Sequence, residues 1–538
     1  MKNAKYFLLI LLAIYSLALG IRIYWLSQKS GYHVDEGLTL AITNYSDYIQ
    51  VKNYEYNREY TGKELKDMSL IGKPGFKDAL NDIKKLWKDN RDPPHTNLYY
   101  TFLRLSLVGI KTADMKQIAF RGGLLNLIFF TVSFVFFFLL MRTLFPDSKL
   151  LQCGALFCAF LSTATISSTM FFRPYQIQEM LFIIFCFCFI KTADTVKYIS
   201  DNRKIYITRS VILLSLVLAL TLLTGYYAII FAGLFGLYII IVKCKEKKYA
   251  EIKFYLLVLF LGFLFTIALY QSYFSAFSSY RTAEVPRILF SNIFANLGTS
   301  LMTSGKLIIE HFYSIPLLIL CLAGIIYLII RKHKPIAEKH AIFIFTAALL
   351  YLIITMIMAP YKILRYGMPV YPFLIILPAI LINTIVPKMR SNMRDRISLI
   401  AVILLCLCFL PGAFNKNKIE NLFSGKTEEY VFAQNKNIPV YIYMHYYANW
   451  NYTNIWKYGN LIPYLNDEQT YYFLQNYDDI YSGKYKEFYL VIENFHAFHE
   501  LNNSGLEILE EVKLTGREPE TTDLMGFYFM CRKARLKE

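Results

Sequence analysis

Charged residues are scarce in this sequence, and their scarcity excludes an ordinary soluble protein. Of the 538 residues only 18% are charged, whereas 56% are hydrophobic and 17% are aromatic. The mean hydropathy is +0.36. Apolar stretches of about twenty residues recur along the chain, and a helix of that length crosses the hydrocarbon core of a bilayer. The composition therefore predicts a mainly α, polytopic membrane protein.

Acidic residues are few relative to basic ones, which gives a net charge of +18. A positive charge of this size is also found in nucleic-acid-binding proteins. Here, however, the Lys and Arg residues lie in short segments between apolar runs and not in one basic patch. Membrane proteins concentrate Lys and Arg in this way in their cytoplasmic loops. We therefore expect a membrane as partner and no nucleic acid.

The sequence lacks the patterns of metal sites and disulfide frameworks. Most of its nine cysteines lie in or beside apolar runs, without a Cys-x-x-Cys pair or a His/Cys cluster of metal-ligand spacing. His311 follows Glu310, but two ligands do not make a metal site. No internal repeat or low-complexity linker is present. The sequence therefore predicts no metal, no other cofactor and no disulfide framework.

About eleven apolar segments are long enough to be membrane spans. The first, near 5–25, is not followed by a small-x-small cleavage site, and Arg22 and Trp25 are typical interfacial anchors, so we interpret it as an uncleaved helix. The run 98–110 is too short to span and carries Arg104, which predicts an interfacial helix. The other spans are expected near 122–141, 150–169, 175–191, 209–225, 227–243, 253–272, 309–330, 340–359, 366–386 and 396–413.

The segments between these spans alternate in charge. The strongly basic ones are 142–149, 197–209, 243–248, 331–339 and 388–396. Those with fewer cations lie around Arg173, Gly225, 281–306 and 362–365. Because cytoplasmic loops carry the excess of Lys and Arg, the alternation predicts a cytoplasmic N-terminus and an extracytoplasmic C-terminus. We expect a multi-pass protein of a bacterial inner or plasma membrane.

Two polar regions interrupt the apolar pattern. Residues 26–118 are expected to form a large first extracytoplasmic loop within a transmembrane domain, 1–413. From residue 414 the composition turns polar, and short β-like runs such as 440–443 and 488–492 follow. Their alternation with helical or loop stretches predicts a small soluble extracytoplasmic α/β domain at 414–538.

The polar groups expected on the outer face suit the transfer of a sugar from a lipid-linked phosphate. An acceptor hydroxyl needs a base within hydrogen-bonding reach, and Asp35 or Glu36 can serve. A polyprenyl phosphate leaves as a stable anion, so it needs positive charge to bind it. Arginine binds phosphate bidentately, and Arg173 and Arg365 are the best candidates.

Four stretches carry a family resemblance. They are His33-Val34-Asp35-Glu36, Asp92-Pro93-Pro94-His95-Thr96-Asn97-Leu98-Tyr99-Tyr100, Phe172-Arg173-Pro174-Tyr175 and Leu364-Arg365-Tyr366-Gly367-Met368-Pro369-Val370-Tyr371-Pro372-Phe373. In this order they resemble motifs of the GT-C superfamily of membrane glycosyltransferases, in the family 39 branch with protein O-mannosyltransferases and lipid A aminoarabinose transferases. In the second stretch the family's His precedes the prolines, whereas His95 follows them and two residues are inserted.

The resemblance implies a polyprenyl-monophosphate sugar donor, an inverting single displacement and no obligatory metal. Asp35 would be the catalytic base, supported by Glu36. The expected substrate-binding residues are Arg173, Tyr175, Glu179, His95, Lys362, Arg365 and Tyr366. The acceptor hydroxyl could belong to a lipid, a polysaccharide or a protein.

Two alternatives stay open at this point. An oligosaccharide ligase or polymerase would use a lipid-diphosphate donor and surround a large outward loop with cations, for which Arg281 and Arg287 are the only hint. A transporter or flippase of lipid-linked sugars would be expected to show internal repeats and ionisable groups at mid-bilayer. The span interiors lack such charges in the sequence, which favours an enzyme.

Overall fold

The computed structural model describes residues 4–29, 31–49, 53–89, 91, 96–196, 204–273, 293–331, 339–359, 362–386, 391–422, 435–443, 462–474, 485–493, 506–512 and 529–536. These ranges contain seventeen α-helices and six strands, so the prediction of a mainly α protein is confirmed. His95, Arg281 and Arg287 lie outside the described residues.

The helices follow one another along almost the whole membrane part of the chain. They are α1 (Ala4–Gln28), α2 (Val34–Thr43), α3 (Gly62–Leu70), α4 (Phe76–Lys88), α5 (Leu98–Ser106), α6 (Met115–Leu144), α7 (Lys149–Leu161), α8 (Thr163–Met170), α9 (Tyr175–Val196), α10 (Lys204–Leu222), α11 (Ala228–Lys245), α12 (Tyr249–Leu269), α13 (Ile293–His311), α14 (Ile315–Ile330), α15 (Lys339–Met358), α16 (Ile376–Ile385) and α17 (Ser391–Ala413). The strands are β1 (Tyr60–Thr61), β2 (Val440–Tyr443), β3 (Thr470–Leu474), β4 (Glu487–Glu493), β5 (Leu506–Val512) and β6 (Phe529–Leu536).

The first compact unit, which we call the membrane unit, comprises Met1–Leu26, Trp87–Tyr99 and Gly123–Glu420. In the described part of the chain, eight helices are long and apolar enough to cross a bilayer, and the number rises to ten if each of two bent helix pairs is one span. The apolar part of α10 is shorter, and this helix matches the span predicted at 209–225. The polytopic membrane fold is therefore confirmed.

One bent pair falls within the predicted span 150–169, and the other bends at the beginning of the predicted span 309–330. Helices α7 and α8 meet at 51°, and the Ser162 hydroxyl accepts the Thr165 amide as an N-cap. Helices α13 and α14 meet at 113°, with Ser314 at the N-cap and a proline in the first turn of α14. Helix α14 lies within the span predicted at 309–330, and α13 ends where that predicted span begins.

The second compact unit, which we call the polar unit, comprises Ser27–Leu86, Tyr100–Gly122 and Asn421–Glu538. Its sheet has the order β1-β3-β2-β4-β6-β5. Strands β3, β2 and β4 are parallel, and β6 and β5 add antiparallel edges. Strand β1 comes from the first loop and pairs antiparallel with β3. The division at residue 413 stays a prediction.

The interfacial segment is short and held by a buried ion pair. Helix α5 has nine residues, so it extends only about 13 Å, less than half the hydrocarbon thickness. Arg104 is 1% exposed, and its guanidinium lies 2.9 Å from the Asp82 carboxylate. It also donates to the Lys73 carbonyl at 2.7 Å. The run around Arg104 is thus a short helix of the polar unit and not a membrane span.

Candidate active site

The Asp-Glu motif of the polar unit forms the first turn of α2. The His33 ring accepts the Asp35 amide at 3.0 Å, and the Glu36 carboxylate accepts the His33 amide at 2.7 Å. This reciprocal arrangement is a capping box, with His33 at the N-cap. It satisfies two amides that the helix leaves without intrahelical partners. The motif therefore builds its own local structure.

Glu36 is further tied down by Lys29. The Lys29 ammonium lies 3.0 Å from the Glu36 carboxylate, and both side chains are buried. The same ammonium donates to the Asn421 carbonyl at 2.7 Å. Burial lowers the pKa of Lys29, while the charge of Glu36 acts in the opposite direction. Glu36 thus has a cation and an amide as partners, and it holds the loop together.

Asp35 has different surroundings. Its side chain is 4% exposed, and its carboxylate lies 3.5 Å from His33 Nδ1. Because Nδ1 accepts the Asp35 amide, its lone pair is used, which assigns the ring proton to Nε2. In this tautomer the His33 ring is neutral. The N-terminal end of α2 favours the ionised carboxylate.

A tyrosine of the C-terminal segment holds the motif from the other side. The Tyr32 amide donates to the Tyr464 hydroxyl at 2.6 Å, and that hydroxyl donates to the Tyr32 carbonyl at 3.0 Å. Burial raises the pKa of Tyr464, so its hydroxyl stays protonated. The Tyr32 hydroxyl in turn donates to the Met115 carbonyl at 2.5 Å.

In the membrane unit, Arg22 and Trp25 are not the interfacial anchors that the sequence predicts. They are 0% and 3% exposed. Arg22 donates to the Thr169 hydroxyl at 3.0 Å and to the Phe160 carbonyl at 2.8 Å. Trp25 donates to the Ala413 carbonyl at 2.8 Å. Both side chains face protein because the backbone and hydroxyl acceptors of neighbouring helices satisfy them.

The polar chain from Arg22 reaches Glu179. Thr169 donates to the Gln176 amide oxygen at 2.8 Å, and Gln176 donates to Glu179 Oε1 at 3.0 Å. Glu179 is 0% exposed. In the described part of the chain its Oε2 has no hydrogen-bond partner. A buried carboxylate with an unsatisfied oxygen is costly, and such groups concentrate at functional sites.

Two more residues predicted to bind substrate lie just before and at the start of α9. Arg173 is 2% exposed and Tyr175 is 5% exposed. The Tyr175 ring stacks on Phe171, with centroids 5.8 Å apart. Together with Glu179 they form one buried polar segment of the membrane unit.

The last predicted group surrounds Arg365. The Lys362 ammonium donates to the carbonyls of Met356, Ile357 and Ala359, so it caps the C-terminal end of α15. Burial lowers the pKa of Lys362. Arg365 lies over the Tyr366 ring, 5.4 Å from its centroid. Of Lys362, Arg365 and Tyr366, it is Lys362 that donates its hydrogen bonds to the carbonyls at the end of a helix.

Sequence reasoning missed Glu420 as a site residue. Its amide donates to the Ser167 hydroxyl at 2.9 Å, and its carboxylate lies 3.6 Å from His311 Nε2. Burial raises the pKa of Glu420 to about 7, Arg365 opposes this change, and Glu310 adds to it. No motif surrounds Glu420, and the only available signal was its position soon after the last span.

The fold defines a class: a multi-pass, mainly α-helical membrane protein. Two crystal structures of ArnT from Cupriavidus metallidurans have a similar fold. The one bound to undecaprenyl phosphate matches with a TM-score of 0.55 and 11% identity, over 99% of this chain and 98% of that chain. The apo structure matches with a TM-score of 0.52 and 13% identity, over 97% of each chain.

At these identities the likeness establishes the fold alone, and this fold agrees with the one expected from the four motifs. No protein-family model matches the chain. No curated protein matches it either.

Proposed function

We propose that this protein is a membrane glycosyltransferase that moves a sugar from a polyprenyl phosphate to an acceptor hydroxyl. The reaction takes place on the extracytoplasmic side, with the N-terminus in the cytoplasm and the C-terminus outside. Asp35 is the general base and accepts the hydroxyl proton as the acceptor oxygen attacks the anomeric carbon. The bond from that carbon to the phosphate oxygen breaks in the same step, with inversion, and the polyprenyl phosphate leaves with the electron pair.

The observation that carries this proposal is the difference between the two neighbouring carboxylates. Glu36 is paired with Lys29 and accepts the His33 amide, so its role is structural. Asp35 lies beside a neutral imidazole at the start of α2. The start of a helix favours the ionised form of Asp35, and an ionised carboxylate can accept the proton that the acceptor hydroxyl gives up.

The donor assignment rests on cations and on the fold. ArnT, with a similar fold, holds undecaprenyl phosphate in one of its crystal structures, which supports a carrier of this kind here. Arg365 and Arg173 are our candidates for binding the phosphate, because guanidinium matches phosphate geometry. Tyr175, Glu179, Tyr366, Lys362 and His95 stay proposed substrate-binding residues.

The test uses purified full-length protein in liposomes with a panel of undecaprenyl phosphoryl sugars and acceptors. Release of undecaprenyl phosphate is the readout. Because loss of a general base typically costs about 100-fold or more, Asp35→Asn should nearly abolish release while the variant remains folded. Wild-type activity in Asp35→Asn would refute the base assignment.

Two controls separate catalysis from folding. Glu36→Gln leaves the buried Lys29 without its charge partner, so it should lower the free energy of unfolding by about 3 kcal/mol. Asp47→Asn, at an exposed position, should change neither quantity. If the wild type released no carrier from any monophosphate donor but did release carrier from diphosphate donors, the proposed monophosphate donor would be wrong and a diphosphate donor would replace it.

A further inference from the structure

The membrane unit contains a cluster of polar groups to which the proposed reaction assigns no role. Three of them come from separate elements: His311 ends α13, Glu420 follows α17, and Tyr371 lies in the 3-10 helix Met368–Ile375. Ser167 of α8 fixes the cluster by accepting the Glu420 amide at 2.9 Å. We call Glu420, His311 and Tyr371 the Glu420 cluster.

The buried hydroxyl of Tyr371 is available to a ligand. Tyr371 is 0% exposed, and within the described residues its hydroxyl has no hydrogen-bond partner. The ring packs against Phe312, the residue after His311, with centroids 6.2 Å apart, and Phe312 packs against Phe409 at 5.1 Å. The charges of Glu420 and Glu310 act on the hydroxyl, which places Tyr371 with the cluster.

Glu420 is held by its backbone yet remains accessible. Its side chain is 41% exposed, whereas the side chain of His311 is 11% exposed. The Thr163 hydroxyl lies 3.4 Å from His311 Nδ1 and donates to the His311 carbonyl at 3.0 Å. The His311 ring is therefore held in place beside the Glu420 carboxylate, which a ligand can reach.

The chemistry of the cluster selects its ligand class. A carboxylate accepts hydrogen bonds, and a phenol can donate and accept, which suits hydroxyl groups that do both. Glu310 and Glu420 together disfavour a phosphate at this position. Among the described residues no group of three or more His, Cys, Asp or Glu side chains could hold a metal ion. Arg365 is close enough to affect the charge of Glu420, and in a polyprenyl phosphoryl sugar the phosphate is attached directly to the sugar.

We propose that the Glu420 cluster binds hydroxyl groups of the donor sugar while Arg365 binds the adjoining phosphate. This inference rests on the proposed function. It adds the residues that distinguish a carrier bearing a sugar from a carrier without one. Glu420 accepts a hydrogen bond from one sugar hydroxyl, and Tyr371 supplies a second contact. Both residues are specificity-determining and take no part in proton transfer.

The test measures binding and not turnover, in the Asp35→Asn background so that no donor is consumed. Full-length protein in nanodiscs is titrated with undecaprenyl phosphate and with undecaprenyl phosphoryl glucose, mannose, galactose and arabinose. The parent should bind at least one glycosylated carrier more tightly than the bare carrier. Glu420→Gln should weaken that binding by about tenfold, the size expected for a hydrogen bond to a charged group.

Tyr371→Phe gives an independent readout. Within the described residues the buried Tyr371 hydroxyl has no hydrogen-bond partner, so removing it should leave the stability of the free protein unchanged or raised. The affinity for the glycosylated carrier should nevertheless fall by about threefold or more. Bare undecaprenyl phosphate should bind as before to both variants. Glu246→Gln, whose carboxylate pairs with Lys243 and Lys248, is the matched control and should leave all affinities unchanged.

Several outcomes would overturn the inference. Equal loss of the bare and glycosylated carriers, or loss of neither, would show that the cluster does not contact the sugar. Tighter binding of the bare carrier to Glu420→Gln would show that Glu420 acts on the phosphate. Binding of none of the carriers would reject the proposed function together with the inference. Binding without discrimination rejects the inference alone.

Discussion

At the scale of single residues, two adjacent carboxylates take separate roles because of their partners. Glu36 lies 3.0 Å from Lys29 and accepts the His33 amide at 2.7 Å. The Asp35 carboxylate lies 3.5 Å from His33 Nδ1, the ring nitrogen that accepts the Asp35 amide. The sequence predicts the motif, but Lys29 is seven residues away and its pairing is known only from the structure. The side-chain type sets which reactions a residue can take part in, and the neighbouring groups decide which role it takes.

Glu420 provides a pH-dependent prediction at the same scale. Desolvation of its carboxylate raises the pKa of Glu420 from 4.5 to about 7, although 41% of the side chain is exposed and solvent screens part of the effect. Between these values the folded state binds a proton that the unfolded state has released, so the contribution of Glu420 is fully present below pH 4.5 and is lost as the pH rises through about 7.

Thermal unfolding in detergent at a series of pH values measures this contribution. The Tm of the wild type relative to Glu420→Gln should fall between pH 4.5 and 7 and stay level above pH 7, and solvent screening at the exposed carboxylate keeps the change small. A difference between the two proteins that does not change with pH would contradict the raised pKa.

At the scale of elements, hydropathy locates the helices but does not show where they break. The predicted span at 150–169 corresponds to a bent pair at 51°, and the predicted span at 309–330 begins at a second bend, of 113°. The second helix starts at a side-chain cap from Ser162 in the first case, and with a proline in the first turn of α14 in the second. A single cap or proline changes the backbone but hardly changes the mean hydropathy of an apolar window.

A glycine pair tests the packing of these elements. A Cβ built on Gly154 of α7 would lie 2.7 Å from Val402 Cγ1 of α17, whereas one on Gly233 of α11 meets nothing within 4 Å. Both changes to alanine gain helix propensity, about 1 kcal/mol. Val402 is β-branched and cannot easily turn away. Gly154→Ala should therefore lose about 1 kcal/mol or more overall.

The measurement is thermal or denaturant unfolding of the two glycine variants beside the wild type. Gly233→Ala should be as stable as the wild type or more stable. Equal gains in both variants would mean that α7 and α17 are not in close contact at Gly154.

At the scale of the whole molecule, the first loop and the C-terminal segment share one structure. Strand β1 extends the sheet of C-terminal strands. Tyr54 from the loop stacks on Phe473 of β3, with centroids 4.5 Å apart. Tyr464 bonds both the amide and the carbonyl of Tyr32. The C-terminal segment therefore supports the backbone that carries Asp35.

Tyr464→Phe tests this support. It leaves the buried Tyr32 amide without its acceptor, which costs about 1–3 kcal/mol. Hydrogen exchange of peptides covering residues 31–37 should accelerate, and transfer activity should fall because the backbone that carries Asp35 is less well held.

Tyr485→Phe is the matched control. It removes a hydroxyl that lies 3.3 Å from the Tyr472 hydroxyl, and exchange at 31–37 should stay unchanged. If Tyr464→Phe leaves this exchange unchanged as well, the C-terminal segment does not hold the motif.

The sequence by itself determined the membrane class, the position of most spans and the Asp-Glu motif, because hydropathy and local capping depend on residues close together in the chain. The tertiary structure alone decided which polar groups are neighbours. Arg22 bonds Thr169 at 147 residues' separation, and Tyr464 bonds Tyr32 at 432. Burial and pairing at such distances depend on how the helices and strands pack, and no local pattern records them.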